Sequence, residues 1–577
     1  VSPAIIMVKA ESTDYVWNAA EGDAGGSLSG TGNLEKTGAG KLTINTDNSG
    51  FSGKVMLGGG TVVMGNGHAL GTGAILFNGG TLQYGTGITE DISSRISALG
   101  TSSVKVDTNG NDVVWGTYSQ DLGNMAIVKT GDGLLTISPA AAASGTSTYT
   151  GAITVEGGKL FYDVTPVAGA TSVRVWSGAI SISENATLQF RDARATGSAT
   201  LTLSGAVSGG GDLILGHKEG TSPGGGRFFL SGNNTGFTGT FKLQGNGTNV
   251  NWNEAGFSNA AAAGNGTLEL DGRGFYIADA ANTVNANIHV TAAGSWFNGN
   301  SNQTVTFGGA LTSAAGANMG IAGGTGVNPT LTVVLTGNLT GFLGNLNCGT
   351  GNAKIAFGAG GAAATLETGE FIKAATLSGA GVFRVNYTGT TGDLVYAGNV
   401  IDTAKLEVHG TDKLILSGSN TSTGNLELVA GGSSVQLGNG GTTGNWAGAI
   451  TGAGALVVNR AEGSGALELN AANSYQGGTT LNGGTVKALG AGSLGTGIVS
   501  VNGGSILDMN NQAIVNNVTI TKGGLQNAGA YVTAGGVTVN AEANSGDINL
   551  GGLSGDKVGG INTATAGTSI TGLTGNL

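Results

Sequence analysis

The sequence predicts an all-β chain wound as a right-handed parallel β-helix, a β-solenoid drawn out into an elongated rod, and three observations carry that reading. Residues 51–84 and 475–508 align without a gap: Gly53, Leu57, Gly59, Gly60, Thr61, Val62, Leu70, Gly71, Thr72, Gly73, Asn78, Gly79 and Gly80 each meet the same residue type in the later block. The 113 glycines, against 5 prolines, punctuate short apolar runs and show none of the every-third-residue period of collagen. Helical spacing is almost absent, since the Ala-rich pieces "PAAAASG" and "NAAAAGNG" are too short and too close to glycine to hold a helix.

Two short motifs order the elements. Thr or Ser followed by Gly-x-Gly and an apolar strand occurs from Thr37, Thr130, Ser208, Ser378 and Thr451. An aromatic two positions before a glycine ends at Gly53, Gly151, Gly239, Gly344 and Gly477. Between them lie runs such as "KLTIN", "AILFNGGTLQY", "TLELDG" and "GIVSVNGGSIL". These alternate and are bounded by Gly and Asn, as strands with one buried face are. Repetition at long range favours a coil whose strands stack in parallel on the next turn over a sandwich of reversing hairpins. In such a coil, inward side chains form apolar stacks, Gly or Asn supplies left-handed backbone at tight corners, and stacked Asn forms hydrogen-bonded ladders. Coils of roughly 20 to 25 residues rising about 4.8 Å give a rod on the order of 110 to 140 Å. The expected organisation is an N-terminal strand and cap over residues 1–30, then one continuous β-helix over 31–577. Its repeats are best written in 34–84 and 446–511 and least regular in 160–330.

Composition narrows the function. With 24 Lys and Arg against 35 Asp and Glu, the net charge of -11 repels nucleic acid. The single Cys348 forms no intrachain disulfide and is expected to be a buried, inert thiol. No stretch reaches the roughly 20 apolar residues of a spanning helix, so no membrane insertion of this chain is expected. The sequence opens at Val1 with no signal segment, so an exported protein has already lost it.

The pattern "LEKTGAGKLTIN" to "GGTLQY", from Leu34 to Tyr84, resembles the autotransporter-associated β-strand repeat. The resemblance is strong in 34–84 and 446–511, recognisable around 128–160 and 205–245, and faint between. It implies a right-handed parallel β-helix exported to the surface of Gram-negative-type bacteria. The C-terminal membrane barrel of an autotransporter is not written in the ending "TSITGLTGNL", so the barrel is expected to have been cleaved off or replaced by another export route.

The residues carry little that reads as chemistry, and no catalytic, cofactor-binding or metal residue is assigned. Every Gly-rich stretch runs into a strand, whereas a phosphate loop needs a helix after it. "DTNGND", Asp107 to Asp112, offers alternating oxygens without the bidentate Glu of a helical calcium loop. Polysaccharide cleavage needs paired carboxylates or a carboxylate with a base. The compact mixed clusters are Arg191, Asp192 and Arg194, then Asp271, Arg273 and Asp279. Asp192 and Arg194 share one strand face, as an ordinary ion pair does. His68, His217, His289 and His409 show no metal-ligand spacing. Trp17, Trp115, Trp176, Trp252, Trp296 and Trp446 are the residues that can stack on sugars where exposed. The expected function is a non-enzymatic extracellular structural or adhesive solenoid. It self-associates end to end or by donation of a strand from "PAIIMV", or it binds host or surface glycans. The alternative is a polysaccharide-binding or polysaccharide-cleaving β-helix, with its cleft in 160–330.

Overall fold

The computed structural model describes residues 4–19, 26–116, 125–138, 145–164, 171–192, 198–217, 227–244, 255–272, 274–277, 283–299, 302–321, 331–349, 353–361, 370–470, 472–528, 536–541, 548–554, 558–563 and 570–574. They fall into two compact units, Val1–Asp279 with Val284–Asn287 and Ala280–Thr283 with Ile288–Leu577. Among the described residues every strand pairs in parallel, and helix is confined to 3₁₀ turns at Ser93–Arg95 and Ala260–Ala263. The protein is a parallel β-solenoid.

In the first unit one ladder runs Tyr15–Trp17, Lys41–Ile44, Thr61–Met64, Thr81–Tyr84, Val104–Asp107, Ile127–Thr130, Ile153–Val155, Ile180–Ile182 and Val207–Ser208. An inward row threads it: Leu42 stands opposite Val62, then Leu82, Val106, Lys129, Val155 and Ile182. All seven are buried. Ile5–Lys9, which lies in the expected cap segment, pairs with Asn33–Thr37 as the first rung of another ladder. In the second unit the row Val305, Val333, Ile355, Phe383, Leu406, Leu426 and Ile450 is likewise buried and in register. Coil lengths vary more than the sequence suggests, from 18 residues between Ser505 and Gly523 to 31 between Asn345 and Thr376. Strands must keep their register because a slip of one residue turns every core side chain outward. Extra residues therefore go into the turns.

The two motifs are the parts of the turn that geometry leaves least free. The first glycine of all five Gly-x-Gly motifs has a positive φ, from 70° at Gly131 to 101° at Gly379 and Gly452. An L side chain is strained there. The landmark aromatics Phe51, Tyr149, Phe237, Phe342 and Tyr475 are all buried. The glycine two residues later is needed for a different reason, because a Cβ on Gly344 would lie 1.6 Å from the carbonyl oxygen of Ala317 in the previous coil. The backbones touch at that point. Buried asparagines bind neighbouring coils beside these landmarks: the Asn48 carbonyl oxygen accepts from Leu28 N at 2.8 Å, and its amide donates to Ala69 O at 2.6 Å. Asn234 does the same between Val207 N and Ala262 O, at 2.7 Å each. Asn–Asn ladders of the expected kind occur at Asn18 with Asn45 and at Asn318 with Asn345, 2.6 and 2.9 Å.

Sequence reasoning missed one device. Lys36 and Lys129, each immediately before a Thr-Gly-x-Gly motif, occupy inward positions and are fully buried. The Lys129 ammonium donates to the carbonyls of Thr130, Gly131 and Gly157 at 2.9, 2.8 and 3.1 Å. Lys36 donates to Thr37, Gly38 and Gly59 in the same pattern at 2.9, 3.0 and 3.1 Å. Each cation ties its own turn to the paired glycines of the next coil. Arg95 plays a similar part, its Nη1 donating to Gly71 O at 2.6 Å and Gly73 O at 3.2 Å. Burial lowers the pKa of Lys129 to about 8, against the raising charges of Asp107 and Asp132.

Two outcomes follow from these contacts. Gly344→Ala should cost about 3 kcal/mol or more, since backbone must move. Gly431→Ala, where an added Cβ meets nothing within 4 Å, should change stability by no more than about 0.5 kcal/mol. Chemical denaturation of both variants checks this. Between pH 8 and the ordinary 10.5, unfolded chains hold a proton that folded Lys129 has released, so stability from this group rises with pH across that window. Relative to Lys129→Met, the native chain should gain stability from pH 8 to 10.5; a difference that stays flat with pH contradicts the buried-cation account.

Candidate functional site

Of the charged residues singled out in the sequence, Asp107, Asp112 and Arg191 bond across coils. Asp107 accepts from Asn109 N at 2.8 Å and from Gln83 Nε2 at 2.6 Å, and Asp112 accepts from Leu134 N at 3.0 Å. Asn111 bonds Gly85 O, Thr108 O and Gly87 N. These oxygens build a corner. Arg191 pairs with Asp163 on the neighbouring coil at 2.8 Å and lies 4.4 Å over the Phe161 ring. Its partner is thus one coil away, on the ladder that pairs Asp163 with Arg191 in register. The Asp192 side chain and Arg194, Arg273 and Asp279 lie outside the described residues, and Asp271 stands opposite Gln244.

The histidines are dispersed. His68 is exposed and sits 3.4 Å from Asp47, His289 bonds Thr312 at 2.8 Å, and the His217 side chain lies outside the described residues. His409 belongs to a network that sequence reading missed. Glu407 takes bonds from Arg384 at 2.8 Å and His409 at 2.9 Å, with Lys354 at 3.6 Å. Burial pushes the Glu407 carboxyl up, but the Arg384 and His409 hydrogen bonds and the Arg384 and Lys354 charges outweigh it and hold the group below its usual value. Residues 354, 384 and 407 come from three successive coils, so local spacing gave no signal; the i, i+2 pair Glu407 and His409 was the one visible trace. The network is a brace of opposite charges on one face.

The tryptophans divide sharply. Trp115, Trp176 and Trp446 are buried, and each indole N–H is satisfied, by Tyr84 Oη at 3.0 Å, Gly151 O at 3.0 Å and Gly424 O at 3.2 Å. Trp176 stacks on Tyr149 with ring centres 5.1 Å apart. Trp252 lies outside the described residues, and Trp17 is half-buried on the first rung of its ladder. Trp296 is half-buried and lines an open cleft of about 390 Å³ with Gly294, Asn318, Gly320, Asn347 and Gly349. Its indole N–H has no hydrogen-bond partner among the described residues.

Three segments of the chain, residues 127–160, 406–434 and 461–488, match the family model described as the passenger-associated-transport-repeat. Each spans about one coil of the solenoid with its return. Over these segments the β-solenoid is similar to an autotransporter passenger β-helix. Neither the comparison with curated proteins nor that with solved structures finds a significant match. Two of the matched segments fall where the sequence resemblance was recognisable or strong, around 128–160 and within 446–511. The third, 406–434, lies where it was faint, since that coil carries neither the aromatic landmark nor a Gly-x-Gly turn.

Cys348, in the second unit, is buried, and its thiol donates to Ala353 O at 3.1 Å. Burial pushes the thiol up to about 12. Thiolate is the reactive form, so the native chain should react with an aromatic disulfide reagent at neutral pH at least about a hundredfold more slowly than the unfolded chain. Equal rates would place Cys348 outside the core.

Proposed function

We propose that this chain is a surface-displayed, non-enzymatic passenger that acts as a structural or adhesive solenoid on a Gram-negative-type bacterium. The observation that carries the reading is the coincidence of three passenger-repeat matches with coils of a parallel β-solenoid. Repeats that each bury a face only against their neighbours extend by addition, which suits a chain that must reach away from a surface. The use of Asp107, Asp112, Asp163, Arg191 and Glu407 in bonds between coils supports a scaffolding role over catalysis.

Self-association is the finer part of the proposal. Among the described residues Ile5–Lys9 is paired on one side only, and Ile5 and Met7 are each 53% exposed. A free edge with apolar side chains templates another strand. Joining of chains through this rung is the expected mode of assembly.

The test is made on intact cells that express the whole gene product. Antibody to the 446–511 coils should label unpermeabilised cells, and externally added protease should remove the label. Label that appears only after lysis contradicts surface display. The released chain, incubated with bacterial and host polysaccharides, should generate no new reducing ends; their appearance would sink the non-enzymatic reading.

A further inference from the structure

The geometry points to a binding subsite for a neutral, β-linked hexopyranose glycan in the cleft around Trp296. The proposal rests on the adhesive reading above and supplies the class of ligand that reading leaves open. The cleft arises from register. Trp296 stands opposite Gly320, which stands opposite Asn347, which stands opposite Ser378, all on strands Ser295–Gly299, Asn318–Ile321, Asn345–Cys348 and Thr376–Gly379. Along that row the indole is followed by a position with no side chain, so a trough opens beside the ring. Gly294 and Gly349 keep its ends bare.

The lining then selects the ligand. Among the described residues no charged side chain lines the cleft, which is formed by Gly294, Ser295, Trp296, Asn318, Met319, Gly320, Ile321, Asn347 and Gly349. An anionic glycan would find no counter-charge there. Met319 and Ile321 point into the core and are buried, which leaves the indole and two asparagines as the groups offered to solvent. The amides are half committed. Asn318 accepts from Asn345 through its oxygen at 2.9 Å, and its own amide N–H groups have no partner among the described residues. Asn347 donates to Ser378 Oγ at 3.0 Å, and its carbonyl oxygen has no hydrogen-bond partner among the described residues. With the indole N–H, the trough therefore offers free donors and a free acceptor around one aromatic face.

A pyranose ring with equatorial hydroxyls has the complementary form. Its axial C–H bonds make a flat apolar face that lies on an indole, and its rim carries hydroxyls that both donate and accept. The fixed first bonds of the amides hold them in place, so little freedom is lost on binding. Beyond Asn347 the row continues to Ser378, and the adjacent row runs Asn318, Asn345, Thr376, the last bonding Asn345 at 2.8 Å. The polar track runs across successive coils, the direction in which a chain of sugars would lie.

The test is calorimetry on the purified whole chain with cellohexaose, laminarihexaose and chitohexaose, each at millimolar concentration. At least one should bind. Trp296→Ala should weaken that binding by about tenfold or more, the scale of losing one aromatic stacking partner. Trp296→Tyr should restore most of it. Gly320→Val should abolish binding by filling the trough; its Cβ would stand 3.3 Å from Asn347 O, which a small shift absorbs, and unchanged thermal unfolding would show an intact fold. Trp17→Ala should leave binding unchanged. Absence of binding to all three oligosaccharides overturns the proposal, as does binding that survives both Trp296→Ala and Gly320→Val. The assay needs no cell, so a chain displayed on cells that binds no glycan sinks the cleft alone, and a chain that binds glycan but stays inside cells sinks the passenger reading alone.

Discussion

The spacing between successive coils governs everything else in this protein. Parallel strands pair at about 4.8 Å, and the chain must come round to that same distance at every turn. A turn has no such freedom to bulge where its backbone meets the one before it. Gly53 shows the limit, since a Cβ there would fall 1.6 Å from the Gly32 carbonyl oxygen. The high glycine content is the sequence's record of that repeated approach. Aromatics just before these glycines fill the space beneath the corner, which is why Phe51, Phe237, Phe342 and Tyr475 recur as buried landmarks.

Corners also gather carbonyl oxygens that no ladder satisfies, and buried carbonyls need partners. The protein answers in two ways. Neutral amides such as Asn48 and Asn234 bridge the coils on either side. Cations such as Lys36, Lys129 and Arg95 each collect two or three carbonyls at once. A buried ammonium is costly when isolated, but three carbonyl dipoles offset much of that cost. Outside the core, the same ladder lines up side chains from distant sequence positions, so Arg384 and Glu407 become neighbours and Trp296 and Asn347 flank Gly320 in one row.

That placement explains what could be read in advance and what could not. The fold was legible because its constraints are local: a left-handed glycine after Thr or Ser and a contact glycine after an aromatic are both written within six residues. The inert setting of Cys348 was also foreseeable, because a lone thiol is among the most often buried side chains. Lys36 and Lys129 were not, because a lysine in a strand reads as an outward side chain, and only the turn that follows supplies its carbonyl partners. Arg191 was grouped in sequence with Asp192 and Arg194 and given no partner, whereas its described partner is Asp163, one coil earlier. The Trp296 cleft depends on Gly320, 24 residues away, and coil lengths that range from 18 to 31 residues hide such pairings from any fixed period.

The register of the coils is the claim on which the rest stands, and cross-linking tests it most directly. Val114 faces solvent opposite Thr136, which stands opposite Phe161 on the next coil. Adjacent coils bring Cα atoms within the roughly 4.4–6.8 Å that a disulfide spans, while two coils separate them by about 9.5 Å. Under mild oxidation the pair Val114→Cys with Thr136→Cys should close into an intrachain disulfide, and the pair Val114→Cys with Phe161→Cys should remain reduced. Failure of the first pair, or equal closure of both, would mean that the strands do not stack coil upon coil in this order.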